Sequence, residues 1–183
     1  MNKKKFGFRP FSNGIPIKGF LILCLIFSLI SPSLIFAETY RDLELEVSTA
    51  SLEAQILAYV NAERQSRGLA PLLRDADLKL HTRIRAQELS YYFAHRKPEG
   101  RSPFADCPRA YLGENIQQNY LRVDGSSTAL SIFQVFRSSG AHWSNMLNPD
   151  WQRTSISVYL GKPLPLDAYH YYTPVFICQW FAD

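Results

Sequence analysis

Three side chains in the sequence are suited to acid–base or metal chemistry: His95, Glu114 and His142. Neutral imidazoles with a carboxylate can bind a divalent ion and activate water, exchange protons without a metal, or hold two cleft walls together by hydrogen bonds. The intervals between these residues, 19 and 28 positions, differ from the i, i+4 spacing of two histidines that bind a metal from one helix. Spacing alone therefore leaves all three roles open.

Glu114 is the residue around which the others are expected to gather. It lies in Gly113-Glu114-Asn115-Ile116, where an apolar segment and a β-branched residue predict the start of a strand. A carboxylate buried at such a position is costly unless a partner pairs with it. Ser139 lies three residues before His142, but no acid is placed to orient a serine triad.

Two helices are predicted before this strand. Ser51 is suited to cap the first, and Gly68 to end it in a left-handed conformation. The second begins at Asp75 or Asp77 and extends to about Phe93, on an imperfect helical stripe.

The polar residues inside the second helix are assigned no part in the site. His81 is interpreted as structural or at the surface, and Arg83, Arg85 and Glu88 as solvated or locally paired.

The turn that follows is expected to fix His95 at a helix end, because Pro98 and Gly100 enforce it. The remaining elements are, in order, a strand over 114–121, a helix from a cap at Ser126 or Ser127 to Gly140, a helical turn over 141–147, a strand over 154–160 and a last strand over 171–181. The last strand is apolar on both faces, which predicts a central position. Helices first and strands last indicate the α+β class.

Residues 1–37 resemble a secretory leader rather than part of the domain. A basic flank precedes an apolar run, Pro32 breaks the run, and Ala37 precedes the first acid, so cleavage is predicted after Ala37. The alternative is an uncleaved membrane anchor, because residues 19–37 are about long enough to span a bilayer. The acidic stretch 38–50 is predicted to be a spacer and 51–183 the domain.

The positive charge of the chain belongs to the leader. Five of the 20 Lys and Arg residues and none of the 16 acids lie in residues 1–37. The remainder therefore carries 15 basic and 16 acidic residues, a formal net charge of −1. The overall value of +4 is thus no evidence for nucleic-acid binding.

Two cysteines remain after the leader, Cys107 and Cys178. Outside the cytoplasm such a pair tends to oxidise, but the sequence does not show that their Cα atoms lie within bridging distance. A disulfide and two buried thiols are both left open, and a Cys/His nucleophile pair is disfavoured.

Several motifs, in order, resemble the CAP superfamily of cysteine-rich secretory proteins, venom antigens and plant pathogenesis-related proteins. The similarity is closest to the compact bacterial type and covers roughly residues 51–181. The motifs are Asn61-Ala62-Glu63-Arg64 with Gly68-Leu69-Ala70-Pro71-Leu72, Arg85-Ala86-Gln87-Glu88, Phe93-Ala94-His95, Gly113-Glu114-Asn115, His142-Trp143-Ser144-Asn145 and the closing 175–181.

The resemblance implies a three-layer α-β-α sandwich with a small, mainly antiparallel central sheet and an open cleft. The family's cleft tetrad of two histidines and two acids carries over as His95, Glu114 and His142, and Ser139 replaces the second acid. Asn115, Ser139 and Asn145 are expected to support the cleft. The two histidines would hold a divalent metal such as zinc in an open, modest site.

We therefore expect an exported CAP domain that acts as an extracellular binding or interaction module, secreted or anchored only through its leader. Its ligand would be an extracellular protein, a lipid or cell-wall material, and not nucleic acid. The alternative is a zinc-dependent hydrolase of peptide, lipid or cell-wall substrates, which the missing second acid makes the weaker hypothesis.

Overall fold

The computed structural model describes residues 32–122, 129–165 and 171–183, with side chains from residue 49 onward apart from Arg122 and Tyr171. The chain divides into two units, Met1–Glu44 and Leu45–Asp183, and the second holds the sheet. The elements are α1 (Pro32–Ser66), β1 (Leu73–Arg74), α2 (Asp77–Glu88), β2 (Leu112–Arg122), α3 (Ala129–Ser138), α4 (Gly140–Leu147), β3 (Arg153–Leu160), β4 (Leu164–Pro165) and β5 (Tyr171–Ala182).

The sheet has the order β1-β3-β5-β2, and β4 pairs with β5. β1 and β3 are parallel, whereas β2, β3 and β4 all pair antiparallel with β5. β5 is therefore the central strand, and its buried residues from Val175 to Ala182 explain why its sequence is apolar on both faces. The mainly antiparallel sheet confirms the predicted architecture.

Helices cover both faces of the sheet. On one face, β-strand side chains pack against α1, α3 and α4 through the residues Ile56, Val60, Ile132, Phe133, Phe136, Met146, Val175, Ile177 and Phe181. On the other face, α2 is the covering helix. Its residues Leu78 and Ala86, with Leu89 just after its end, pack in a cluster with Ile116, Phe176, Cys178 and Trp180. The three-layer α-β-α sandwich is therefore confirmed.

Several helix ends differ from those the sequence predicts. α1 is continuous from Pro32, so Ser51 lies within a helix rather than at its start. Proline suits a first helical turn because the N–H that it lacks would have no intrahelical acceptor there. α2 begins at Asp77, and Asp75 Oδ1 accepts the backbone N–H groups of Asp77 and Leu78. It ends at Glu88 and not near Phe93, because the chain turns back to place the Ala94 carbonyl against Arg85.

Gly140 begins a helix instead of ending one. The break between α3 and α4 falls at Ser139, whose backbone is extended with φ −95° and ψ 115°. The predicted cap at Ser126 or Ser127 lies outside the described residues. α4 itself matches the helical turn expected over 141–147.

The two cysteines are both free thiols. Cys178 is fully buried on β5, and Cys107 packs against the edge of the same cluster. Burial, followed by the nearby Glu114 carboxylate, raises the pKa of the Cys178 thiol well above its usual range. A thiol held neutral in this way is a poor nucleophile.

Glycine is required at position 113, at the start of β2, because the Trp151 ring lies close to its Cα. A Cβ at this position would lie 2.9 Å from Cζ2 of Trp151, whose ring stacks on Phe181. Because two stacked rings cannot easily move apart, we expect Gly113→Ala to lower the free energy of unfolding by about 1–3 kcal/mol, measured by urea denaturation. Gly140→Ala is the matched control, because a Cβ there meets no atom within 4 Å; equal effects of the two substitutions would contradict the steric explanation.

Candidate functional site

Glu114 lies on β2, with its side chain on the α2 side of the sheet and only 3% exposed. Its Oε1 accepts hydrogen bonds from Arg85 Nε at 2.9 Å and from Trp180 Nε1 at 3.1 Å. Its Oε2 lies 2.8 Å from Nδ1 of His95. Both carboxylate oxygens therefore have partners, and each partner comes from a different segment of the chain.

His95 is positioned by this carboxylate. A hydrogen bond from Nδ1–H to Glu114 fixes the tautomer, so Nε2 is the ring nitrogen that carries the lone pair. The side chain is 60% exposed, and the part of the chain that the structure describes offers Nε2 no partner. His95 thus presents its Nε2 edge to solvent.

Arg85 is a site residue that sequence reasoning missed: of the two alternatives expected, solvated or locally paired, the local pair with Glu88 is present, but its burial and its contact with Glu114 were not predicted. It is only 2% exposed, and its guanidinium also donates to Glu88 Oε2 and to the Ala94 carbonyl. Burial alone would lower the pKa of Arg85, but hydrogen bonds and charge from Glu114 and Glu88 raise it above its usual value. Arg85 therefore stays charged and compensates two buried acids.

The network continues outward to the segment after His95. Lys97 Nζ lies 3.8 Å from Glu88 Oε1 and 2.9 Å from Asp106 Oδ2. Hydrogen bonds from Arg101 and Lys97 lower the pKa of Asp106 to about 2, so this surface acid remains ionised throughout the neutral range. These contacts tie the segment that carries His95 to α2.

His142 lies on α4, in the other helical layer. Its ring is half-buried and packs edge-on against Phe136, with the centroids 5.3 Å apart. Desolvation by burial, and to a smaller extent the charge of His95, lowers the pKa of His142. The lowered pKa favours the neutral imidazole of His142.

Asn115 and Asn145 join β2 to α4. Asn115 Nδ2 donates to the carbonyl of His142 at 3.1 Å. Asn145 Nδ2 donates to Asn115 Oδ1 at 2.9 Å and to the carbonyl of Glu114 at 3.3 Å. Both asparagines thus link β2 to the helix that carries His142. Ser139 lies at the junction before α4, where its carbonyl accepts from the N–H of Trp143.

The donor set suits a metal only in part. In the described ranges, no group of three or more His, Cys, Asp or Glu side chains is arranged to hold an ion. Glu114 is engaged by Arg85, Trp180 and His95, so the available donors are the imidazoles of His95 and His142. Zinc in proteins usually takes at least three protein ligands, and two imidazoles would need water or a bound ligand to complete the coordination.

The lowered pKa of His142 makes the domain less stable in acid. Below an ordinary pKa of about 6.5, the unfolded chain binds this proton more readily than the folded chain, so the free energy of unfolding falls as the pH drops from about 7.5 to about 5.5. His142→Gln is expected to reduce this dependence, measured by urea denaturation at both pH values.

The same shift can be followed by NMR titration of the ring protons. We expect His95→Gln to raise the pKa of His142 only part of the way, because burial is the larger cause and remains. His81, whose ring stacks on Trp180, provides the control His81→Gln. A pKa of His142 at or above its usual value in the native protein would contradict the prediction.

The fold and the site together define an α-β-α sandwich domain in which Glu114, on β2 at one edge of the sheet, pairs with His95. The family model for CAP, the cysteine-rich secretory protein family, matches residues 57–177. The chain therefore belongs to this family. The resemblance predicted from the motifs is confirmed.

Three similar proteins are bacterial. The chain is 30% identical over 117 residues to the uncharacterized protein YkwD of Bacillus subtilis (strain 168), a match that covers 60% of this chain and 43% of that protein. An extracellular protein containing an SCP domain from Bacillus anthracis str. Ames aligns with a TM-score of 0.52 at 21% identity, covering 70% of this chain and 41% of that one. An outer surface protein from Borrelia burgdorferi aligns with a TM-score of 0.49 at 14% identity over 73% and 93% of the two chains. The chain thus spans less than half the length of the first two proteins.

The prediction of a leader or anchor falls mostly on residues 1–31, outside the described residues. Within the residues that are described, no helix is long and apolar enough to cross a bilayer.

Proposed function

We propose that this chain is an exported CAP domain that binds an extracellular ligand at the cleft between His95 and His142. The observation that carries the proposal is the full engagement of Glu114, whose two oxygens meet Arg85, Trp180 and His95. A carboxylate with three donors serves as a structural anchor for His95, and is not free to act as a general base. The cleft therefore offers two positioned imidazoles to a partner.

A divalent metal is part of this proposal. The imidazoles of His95 and His142 would hold it, and when bound it would supply positive charge and open coordination positions to a ligand donor. Glu114 would orient His95 through Nδ1, as carboxylates beyond the first ligands commonly do. Because the protein supplies two ligands, we expect affinity for Zn²⁺ no tighter than micromolar.

Export is supported by the basic and apolar composition of residues 1–37, and the Bacillus anthracis neighbour is described as extracellular. The ligand is expected among extracellular proteins, lipids and cell-wall material. The near-neutral charge after residue 37 does not favour nucleic acid.

The metal can be tested by calorimetric titration of the purified protein with Zn²⁺ near pH 7.5. Binding is expected for the native protein and to weaken at least about tenfold in His95→Gln and in His142→Gln, since each removes one of two ligands. His81→Gln removes a histidine outside the cleft and should leave the affinity unchanged. Equal affinity in all four proteins would overturn the metal assignment.

Ligand binding is tested separately with purified cell wall and with lipid vesicles, comparing native protein with the double variant His95→Gln, His142→Gln. Retention that depends on the histidines supports the cleft as the binding site. Zn²⁺-dependent hydrolysis of casein, an ester or cell wall that is lost in the double variant would instead establish the hydrolase.

A further inference from the structure

A cavity of about 280 Å³ lies at the sheet edge opposite the histidine cleft. β1 is two residues long and pairs with β3 only at Arg153 and Thr154, so within the described chain the rest of β3 has no neighbouring strand on that side. The cavity opens where β1 ends, between α1, the start of α2 and β3. The cleft lies beside β2, at the other end of the strand order.

Most charges in the cavity wall are already compensated. Lys79 Nζ contacts Glu53 Oε2 at 2.6 Å, the Ile156 carbonyl at 2.8 Å and Ser157 Oγ at 3.1 Å, which uses all three of its donors. The other oxygen of Glu53 accepts the N–H of Val158 at 3.0 Å. Lys79 and Glu53 thus already bond to backbone groups on the unpaired edge of β3. An additional strand therefore does not find these groups free for pairing.

Asp75 is compensated in the same way. Its Oδ1 caps α2, and its Oδ2 lies 2.8 Å from Arg109 Nη2, at ion-pair distance although the atoms are not aligned as a hydrogen bond. The acids of the wall therefore have no capacity left to attract a cation.

Arg74 is the exception among the charged residues that line the cavity. It is exposed, and within the described chain it makes neither a hydrogen bond nor an ion pair. A guanidinium presents a planar fork of donors that matches a carboxylate in two parallel hydrogen bonds. The uncompensated charge of the cavity is thus positive and suited to an anion.

The remaining wall is apolar apart from Thr154 and Ser155, whose hydroxyls already bond to the Trp180 carbonyl and to Thr82. Leu57, Ala76 and Ile156 line it, and Leu57 and Ile156 are buried members of the main core. We propose that this cavity binds a small aliphatic carboxylate, with its carboxylate on Arg74 and its hydrocarbon part against Leu57 and Ile156. Such a group occurs in a free aliphatic acid and at the carboxy terminus of a peptide that ends in an aliphatic residue.

The test is an NMR titration of the ¹⁵N-labelled protein with hexanoate, hexan-1-ol and hexylammonium. Hexanoate is expected to shift the amide signals of Ala76 and Ile156, and the alcohol and the amine to bind at least about tenfold more weakly, because neither can pair with Arg74. Shifts confined to other regions, or equal binding of hexanoate and hexan-1-ol, would overturn the proposal.

The matched variants are Arg74→Gln and Arg153→Gln. Both residues are exposed arginines, but Arg153 does not line the cavity. Arg74→Gln should weaken hexanoate binding at least about tenfold without changing the thermal midpoint, since the Arg74 side chain makes no hydrogen bond or ion pair within the described chain. Arg153→Gln should not weaken binding. Unchanged affinity in Arg74→Gln would overturn the proposal.

The two sources of the carboxylate are separated by N-acetyl-leucine, whose amide and carboxylate mimic the end of a peptide. Tighter binding of N-acetyl-leucine than of hexanoate supports a peptide terminus, and the reverse order supports a free aliphatic acid. N-acetyl-leucine amide lacks the charge, so its binding as tightly as N-acetyl-leucine would count against the role of Arg74. None of these results depends on His95 or His142.

Discussion

Replacing Arg85 with methionine is expected to lower the free energy of unfolding by about 3–5 kcal/mol, because it leaves buried acids without their counter-charge. Glu114 would keep only Trp180 Nε1 and His95 as partners. Among the described residues, Glu88 would keep only Lys97, at 3.8 Å. Methionine fills much of the volume of arginine, so the loss measures charge and hydrogen bonding more than a cavity.

Urea denaturation at neutral pH measures this loss. The control is Arg74→Met, an exposed position just before α2, where a surface change of about 0.5 kcal/mol or less is expected. If the two variants lost equal stability, the buried network would not have the importance assigned to it.

A double variant separates the ion pair from general damage to α2. Adding Glu114→Gln to Arg85→Met removes one of the uncompensated charges, so the double variant should be more stable than the sum of the two single losses by about 1–3 kcal/mol. Strict additivity would show that Arg85 and Glu114 are not energetically coupled, despite the 2.9 Å contact between them.

The elements that carry the site were largely predictable because their patterns are strong. An apolar run on both faces placed β5 at the centre of the sheet. The prediction that a turn fixes His95 at a helix end is wrong, because α2 ends seven residues earlier, at Glu88. The patterns did not predict which side chains from distant segments contact each other. Glu114 meets Arg85 across 29 residues and Trp180 across 66 residues, and no local period encodes such contacts.

Arg85 was missed although its position carried a usable signal. It follows Thr82 by three residues and Leu78 by seven, and all three are buried on one face of α2, as helical periodicity requires. Arg85 was not assigned to the buried face, because arginine side chains usually face solvent. A charged residue in register with an apolar stripe is better interpreted as a buried partner for an acid elsewhere.

Ser139 occupies the position at which the family resemblance places a second acid. Its extended backbone separates α3 from α4, and its neighbour in space is the start of the helix that carries His142. Among the described residues, Glu114 is the acid bound to a cleft histidine, and Arg85 already neutralises it. Within the described residues, the carboxylate that contacts His95 is therefore already paired, as an anchor for the imidazole would be.

Arg64→Met is expected to be comparably destabilising, with a loss of about 3–5 kcal/mol in the free energy of unfolding, because several buried carbonyls lose charged donors. Arg64 on α1 is 1% exposed. Its guanidinium donates at 2.8–3.2 Å to the carbonyls of Ala70, Met146, Asn148 and Trp151. Two of these lie at the end of α4, so Arg64 holds in place the helix that carries His142 and Asn145.

Two comparisons make this prediction specific. Arg64→Lys should recover only part of the loss, since an ammonium cannot reach carbonyls from three segments with the planar fork of a guanidinium. Arg67→Met, one turn later at an exposed position that stacks on Trp143, should cost about 1 kcal/mol or less. Amide hydrogen exchange adds a local measurement, in which Arg64→Met should speed exchange in α4 more than in α2. Uniform acceleration in both helices would mean that Arg64 stabilises the whole domain without positioning the cleft.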